Sequence, residues 1–361
     1  MYVGLVYNAK PFQRADLRRG RPPEILLEED EEPPSLAGVG SEEDLWAEWD
    51  DAETILAVAR ALAQKHRVTL FEAVGDFAGR LRKHPPDMVF NIAEGSAGVH
   101  REAQVPAVLE MLGIPYTGSD PLTLALCLDK AWTKMILGHA GVPTAPFRIV
   151  TEPGALALAD EVPLPAMVKP LYEGSSKGIR DDHLARDRGH LREVVLRTLA
   201  EYRQPVLVEA FLPGREFTVG FIGNGPDLRL LPPVEIRFDQ FPAGSAPIYS
   251  WEAKWVWDRP EAPLRVFECP ARLTPAERAR IEDVCRGTIA ALRLRDWSRI
   301  DLREDADGVV NVIEVNPLPG VLPDPDMNSC FPKAARSAGL SYEAMILEVL
   351  DAGLRRRGGT A

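Results

Sequence analysis

The segment from Arg299 to Asn316 constrains this chain more than any other. Two runs of strand-like alternation flank Asp307-Gly308, a preferred pair for a two-residue type I′ turn, and such a turn sets hairpin register. With these as the turn residues, Ala306 faces Val309, and pairing outward sets Asp301 opposite Glu314 and Arg299 opposite Asn316. Side chains alternate between strand faces, so these four share one face while Ile300, Leu302, Ile313 and Val315 share the other. Two carboxylates and an amide oxygen beside a guanidinium form a hard oxygen-donor site suited to Mg²⁺, with the arginine left for another anion. A surface hairpin with a cross-strand polar cluster has the same pattern, and geometry alone leaves both readings open.

A chain of 361 residues, 45% hydrophobic, holds apolar material for two or three cores rather than one small binding module. Its net charge of −12 is offset by no basic run longer than Arg355-Arg356-Arg357, which disfavours a general nucleic-acid binder. No stretch reaches the roughly 18 apolar residues of a membrane span, and the N-terminus lacks the regions of a secretion signal. A cytoplasmic protein with no membrane partner is therefore expected. Cys127, Cys269, Cys285 and Cys330 have no paired spacing and the six histidines are dispersed, so reduced cysteines and no zinc site are expected.

Residues 2–7 read as a buried strand running into Asn8. Residues 10–50 turn charged, Pro-rich and acidic, and read as an insertion or mobile loop rather than core. Within it the acidic run at 24–34 is either solvated or a cover for a substrate mouth. A helix at 52–65, strands at 68–71 and 87–92, a helix at 103–112 ended by Gly113, and a capping site at 117–121 follow. This alternation predicts a doubly wound α/β domain over 1–129. A smaller unit over 130–212 carries a helix to Gly141, a strand at 166–170, a helix at 191–202 and a strand at 206–209. The third, 213–361, holds a helix at 275–292, the hairpin, and a helix at 342–354. The fold class is α/β, with α+β character in parts.

Lys169 ends an apolar strand before Glu173-Gly174-Ser175-Ser176-Lys177-Gly178, a combination that brings an ammonium and several backbone N–H groups onto a polyphosphate. A solvated turn has the same composition. Lys130 at a helix start is either a phosphate ligand or a snorkelling surface lysine. Glu209 and Glu216 are candidates for an adenine amine and a ribose hydroxyl, or are strand-end charges.

Taken in order, Leu128-Asp129-Lys130, Val168-Lys169-Pro170, the 173–178 loop, Val208-Glu209, Arg215 to Val219, Glu252-Ala253-Lys254, Arg299-Ile300-Asp301 and Glu314-Val315-Asn316-Pro317 resemble the D-alanine–D-alanine ligase branch of the ATP-grasp superfamily. Leu112 to Ser119 and Phe331 to Gly339 extend the match, which covers most of the chain from about residue 86. The resemblance implies a three-domain ATP-grasp fold with a preATP-grasp N-terminal domain, ATP held between the central and C-terminal domains, and a homodimer. It further implies Lys130, Lys169 and Ser176 on the phosphates, Glu209, Phe211 and Leu212 around adenine, and Glu216 on the ribose. The same resemblance implies Lys254 over the γ-phosphate from a mobile loop, and Asp301, Glu314 and Asn316 as ligands of two Mg²⁺ ions, or Mn²⁺ in their place. The implied chemistry is ADP-forming amide synthesis through an acyl phosphate, with Arg299 and the backbone at Gly320 stabilising developing negative charge, on amino acids or peptide-like molecules.

Departures from the pattern fall at the first-substrate site. Where the D-alanine enzymes place an acidic residue after the first strand, this chain reads Tyr7-Asn8-Ala9-Lys10. The matching Ser is Ser175, Trp255 stands in place of a Tyr, and Ser329 falls where a Ser meets the second substrate's carboxylate. Glu94, Arg101 and Glu102 are then candidates for reading a different substrate. A non-catalytic nucleotide-binding relative predicts erosion of a metal ligand, and none is eroded.

Overall fold

The computed structural model describes residues 1–28, 46–242, 244–257 and 264–358. The first sheet is wholly parallel, in the order β2-β3-β1-β4, with β1 Tyr2–Tyr7, β2 Leu26–Leu27, β3 Arg67–Glu72 and β4 Met88–Asn91. Its strands are apolar on both faces because both are covered. Val3, Leu5 and Tyr7 of β1 pack in one core with α2 (Ala52–Ala63), while Val6 packs with α3 (Phe77–Lys83) and α4 (Gln104–Leu112) on the other. The segment expected to lie outside the core contributes to it: Leu17 of α1 (Arg14–Gly20) and Ile25 are buried in the first of these cores. A single large apolar residue amid Arg14, Arg18 and Arg19 gives a short helix no visible apolar stripe, which hides its anchoring role in the sequence. Most of the acidic run at 24–34 lies outside the described residues.

After α5 (Pro121–Leu128), Asp129 caps α6 (Lys130–His139), its Oδ1 accepting from the backbone N of Ala131 and Trp132 at 3.0 Å each. The second sheet is antiparallel, β5-β8-β6-β7, built from β5 Phe147–Val150, β6 Ala166–Pro170, β7 Leu184–Ala185 and β8 Val206–Ala210. Val168, Val206 and Val208 face α7 (Arg188–Tyr202), so Met167, Lys169, Leu207 and Glu209 turn the other way.

The third sheet, also antiparallel, runs β12-β11-β9-β13-β14, from β9 Glu216–Ile222, β10 Arg229–Leu230 beside it, β11 Val234–Ile236, β12 Phe267–Glu268, β13 Trp297–Glu304 and β14 Val310–Asn316. One face packs on α8 (Pro275–Leu292), whose start carries a Thr274–Glu277 capping box. Then α9 (Cys330–Ser337) and α10 (Tyr342–Gly358) follow; Met345, Ile346, Val349 and Leu350 of α10 join the core beneath β1.

Hairpin pairing matches expectation at the site and departs from it at the turn. Arg299 pairs with Asn316 and Asp301 with Glu314, but beyond a β-bulge Leu302 pairs with Val312 and Glu304 with Val310. Asp305 N donates to Val309 O, and the Asp305 carboxylate accepts from Asp307 N and Val309 N at 2.9 Å each. The loop is thus one residue longer than a two-residue turn, because Asp305 supplies an Asx-type alternative to it. The extra residue, Ile313, leaves the apolar face and lines the cleft, and Val312 takes its place in the core.

Asp296, fully buried, fastens the parts together. It accepts from Arg356 of α10 at 2.8 and 2.9 Å, from the Gly118 amide at 2.8 Å and from Asn224 at 2.7 Å. Next to it Trp297 stacks edge-wise between Phe90 and Phe331. Asp296→Ala takes the carboxylate partner from the Arg356 guanidinium and the acceptor from the Gly118 and Asn224 amides, and is expected to lower the unfolding free energy by about 3–5 kcal/mol in denaturant titration, whereas Arg355→Ala leaves it unchanged.

Candidate active site

The three sheets surround a cavity of about 600 Å³. Its floor is the polar face of the third sheet, where cross-strand partners meet in rungs: Glu216 with Arg303, Thr218 with Asp301, Gly220 with Arg299. Arg303 Nη1 donates to Glu216 at 2.6 Å and Thr218 Oγ1 to Asp301 at 2.5 Å. Arg299 grips both Asp301 oxygens at 3.1 and 3.0 Å, and Asn316 Nδ2 donates to Asp301 Oδ2 at 3.0 Å. Asp301, Glu314 and Asn316 thus share one face with Arg299, and each carboxylate is met by a cation.

The cation on Glu314 is Lys130, at 2.9 Å; its Nζ also donates to the Glu173 carbonyl. Lys130 is buried, not snorkelling, because Asp129 starts the helix facing inward. Burial alone raises the Glu314 pKa, but Lys130, Lys169 and Arg299 hold it below the ordinary value, so it is ionised. Lys169 in turn meets Glu209 at 2.5 Å, a diagonal pair on the cleft face of the second sheet.

Glu209 also meets Lys134 at 2.8 Å. Against burial, Lys134 and Lys169 bring its pKa down to about 2. Its carboxylate therefore meets two lysines at the end of β8, where the resemblance implies a contact with adenine. Lys134 was not among the expected site residues, although its position four residues after Lys130 puts both on one helix face. Arg303 was also not among them, and it continues the alternation of Arg299 and Asp301. Its guanidinium lies 4.5 Å from the Phe211 ring centre and 5.1 Å from that of Phe238. Phe211, Leu212, Met167 and Ile248 form an apolar sleeve on that side.

Facing the sheet floor is the loop after Lys169. Ser175 and Ser176 both adopt positive φ, 52° and 60°, which for non-glycine residues costs on the order of 1–3 kcal/mol each. Ser176 Oγ donates to Tyr249 O at 3.1 Å. Lys254 stands in a π-helical turn, Ala253–Trp257, with burial and the Arg299 charge lowering its pKa to about 8. The Trp255 side chain lies outside what is described. Ser329 donates to the Gly320 carbonyl at 3.0 Å and accepts from Leu322 N at 3.3 Å, which shapes the cavity wall after β14.

At the first-sheet end, Glu94 and Glu102 line the cavity and neither carboxylate is hydrogen-bonded among the described residues. Burial, with repulsion from Glu48, raises Glu102 to about 8, and burial with repulsion from Glu102 pushes Glu94 well above its ordinary value. Asp50, beside them, is raised by burial to about 7. Arg101 departs from expectation: Nε and Nη2 donate to Glu48 at 3.0 and 2.6 Å and Nη1 to Tyr172 O at 2.9 Å, so its donors serve the protein's own loops. Asn8, where an acidic residue stands in the D-alanine enzymes, is a buried neutral amide, accepting from Gly95 N at 2.9 Å and donating to Ala73 O at 3.3 Å.

Among the described residues no helix is long and apolar enough to cross a membrane, and the four cysteines are free thiols. Comparison with known proteins is consistent along the chain. Residues 136–351 match the family model described as D-ala D-ala ligase C-terminus. An uncharacterized protein, y4sG, of Sinorhizobium fredii is 34% identical over 87% of this chain and 90% of its own. The D-alanine–D-alanine ligase of Acinetobacter baumannii is 32% identical over 73% of this chain and 79% of its own, and that of Haemophilus influenzae 32% over 76% and 86%. Two crystal structures of the Bacillus anthracis D-alanine–D-alanine ligase, one complexed with ATP, align over 99% of both chains with TM-scores of 0.68, at 21% and 24% identity. The fold is therefore ATP-grasp, and the chain belongs to the D-alanine–D-alanine ligase family of ATP-dependent ligases.

Proposed function

We propose that the protein joins the carboxylate of one amino-acid-like substrate to the amine of another, converting ATP to ADP and phosphate. The observation that carries this is the polar sheet face, Arg299, Asp301, Glu314 and Asn316, met by Lys130 and Lys169. Two carboxylates, each held by a cation, beside an amide oxygen form a face built to hold positive charge, which fits divalent metal. Asp301, Glu314 and Asn316 would hold two Mg²⁺ ions, or Mn²⁺. Bound there, such ions neutralise charge on the phosphates.

In this reading Lys130 and Lys169 bind the phosphates, with the loop at Ser176 above them, and Glu209 sets the Lys169 ammonium in place. Phe211 and Leu212 sandwich the base and Glu216 receives the ribose. A substrate carboxylate oxygen attacks the γ-phosphorus, and the bond from that phosphorus to the ADP oxygen breaks. The amine nitrogen of the second substrate then attacks the acyl carbon; phosphate departs with the electrons of the acyl C–O bond, and the nitrogen loses a proton. Arg299, aided by the backbone at Gly320, stabilises the oxyanion between these events. Lys254 covers the γ-phosphate, Ser175 and Ser329 orient the substrates, and Glu94 and Glu102 meet a substrate ammonium group. Because the neutral Asn8 offers no charge to an α-ammonium group, D-alanine is disfavoured as first substrate; its use is the reading that the relatives' names favour.

Phosphate release from ATP and Mg²⁺ across single and paired D- and L-amino acids, with product masses, decides the matter: release dependent on a pair names the substrates, and release with D-alanine alone restores the D-alanine enzyme. Glu314→Gln is expected to lower kcat at least about 100-fold with the fold intact by circular dichroism, since the isosteric amide lacks the charge that holds metal; full turnover removes the metal assignment. Assayed above pH 8, where the Glu102 carboxylate is ionised, Glu102→Gln is expected to raise KM for the ammonium-bearing substrate about tenfold and leave KM for ATP unchanged, the worth of one charge-assisted contact. The wild-type Glu102 proton, kept in the folded state from about 4.5 up to about 8, makes stability fall as pH rises through that window. The same substitution therefore raises Tm relative to wild type at pH 8.5 and not at pH 4.

A further inference from the structure

The loop that faces the phosphate site is held from the first sheet by one carboxylate. Glu48 Oε1 accepts from the Gly174 amide at 2.9 Å and from Arg101 Nη2 at 2.6 Å; Oε2 accepts from Arg101 Nε at 3.0 Å and meets Lys177 Nζ at 3.1 Å. Arg101, so gripped, donates to Tyr172 O at 2.9 Å and meets Glu173 Oε2 at 3.5 Å. Residues 172, 173, 174 and 177 are thus tied to Glu48 or to Arg101. Gly174 approaches so closely that a Cβ there would stand 2.9 Å from the Glu48 carboxylate.

Glu48 is fixed from behind as well. Trp49 Nε1 donates to Gly95 O at 3.1 Å and Asp50 N to Asn8 O at 2.9 Å, so its backbone rides on the same loop ends that carry Glu94. The carboxylate side chain is 8% exposed, which removes water from contacts that are charge-assisted. The neighbouring Ser175 and Ser176 sit at positive φ, and backbone of that kind persists only where its surroundings hold it.

We propose that Glu48 is a positioning residue that clamps the 172–177 loop shut and couples its closure to the substrate end of the first sheet. No motif marks it: it follows an acidic stretch and belongs to none of the expected site residues. Its catalytic consequence rests on the ligase reading above; the clamp itself does not. Without it the loop opens, water reaches the activated acyl group, and phosphate is released without amide.

Glu48→Gln keeps the volume and loses the charge. It is expected to weaken ATP binding by about 10- to 100-fold in calorimetry, as loss of hydrogen bonds to a charged group does, and to raise the ratio of phosphate released to amide formed above one. Glu48→Asp is expected to restore part of both. Arg101→Gln combined with Glu48→Gln is expected to be no worse than the more severe single change, because the two share one contact. Wild-type ATP affinity and one phosphate per amide in Glu48→Gln overturn the proposal. If Glu48 variants fail to fold, hydrogen exchange on the wild-type protein without nucleotide decides it: amides of 172–177 protected well beyond open-chain rates uphold the clamp, and open-chain exchange overturns it. Exchange and ATP affinity do not depend on amide formation, so a protein that proves not to be a ligase still tests the clamp.

Discussion

Everything in the cleft depends on the ladder between β9, β13 and β14. An antiparallel pair sets residues directly opposite one another and sends alternate positions to opposite faces, so one register decides at once which residues are core and which are chemistry. Here it buries Val219, Ile300, Leu302 and Val315 against α8 and turns Thr218, Arg299, Asp301 and Glu314 into the cleft. A slip of one residue would bury two carboxylates and a guanidinium. The apolar face therefore enforces the geometry of the polar one, and the alignment of the cleft residues comes as a by-product of core packing.

The second organising fact is charge balance. Glu314 rests on Lys130, Glu209 on Lys169 and Lys134, Asp301 on Arg299, and Glu48 on Arg101 and Lys177. Buried ions tolerate removal from water only with partners. The cavity thus supplies its own counterions for the carboxylates it buries. At the first-sheet end this balance fails, where Asp50, Glu94 and Glu102 crowd together with pKa values raised by burial. That contrast separates a region suited to an anion from one suited to an ammonium.

Most of the frame was legible in residue order. Alternating strand and helix patterns marked the parallel sheet, and Asp307-Gly308 marked the hairpin. The register at Asp301 came out as expected even though the turn is longer, because the bulge at Ile313 restores what the turn shifts. Two local deviations of one residue cancel, and neither has a sequence signature. Contacts between distant segments were not legible. Glu48, Asp50 and Arg101 acquire their roles from what lies across the cleft, 126 residues away in the case of Glu48 and Gly174. Lys134 and Arg303, by contrast, follow from helix and strand periodicity applied one step further.

The packing of α10 bears on how this protein could be divided. Its apolar side covers one face of the first sheet, and its Arg356 reaches Asp296 beside the Gly118 amide. A fragment cut after the first sheet would carry parallel strands without the cover of α10, and the remainder would expose the apolar side that α10 turns to α2. The order of segments along the chain is therefore not the order of separable modules: the last helix belongs to the first sheet. A tag or fusion placed beyond α10 loads the first sheet, although by sequence it stands farthest from it.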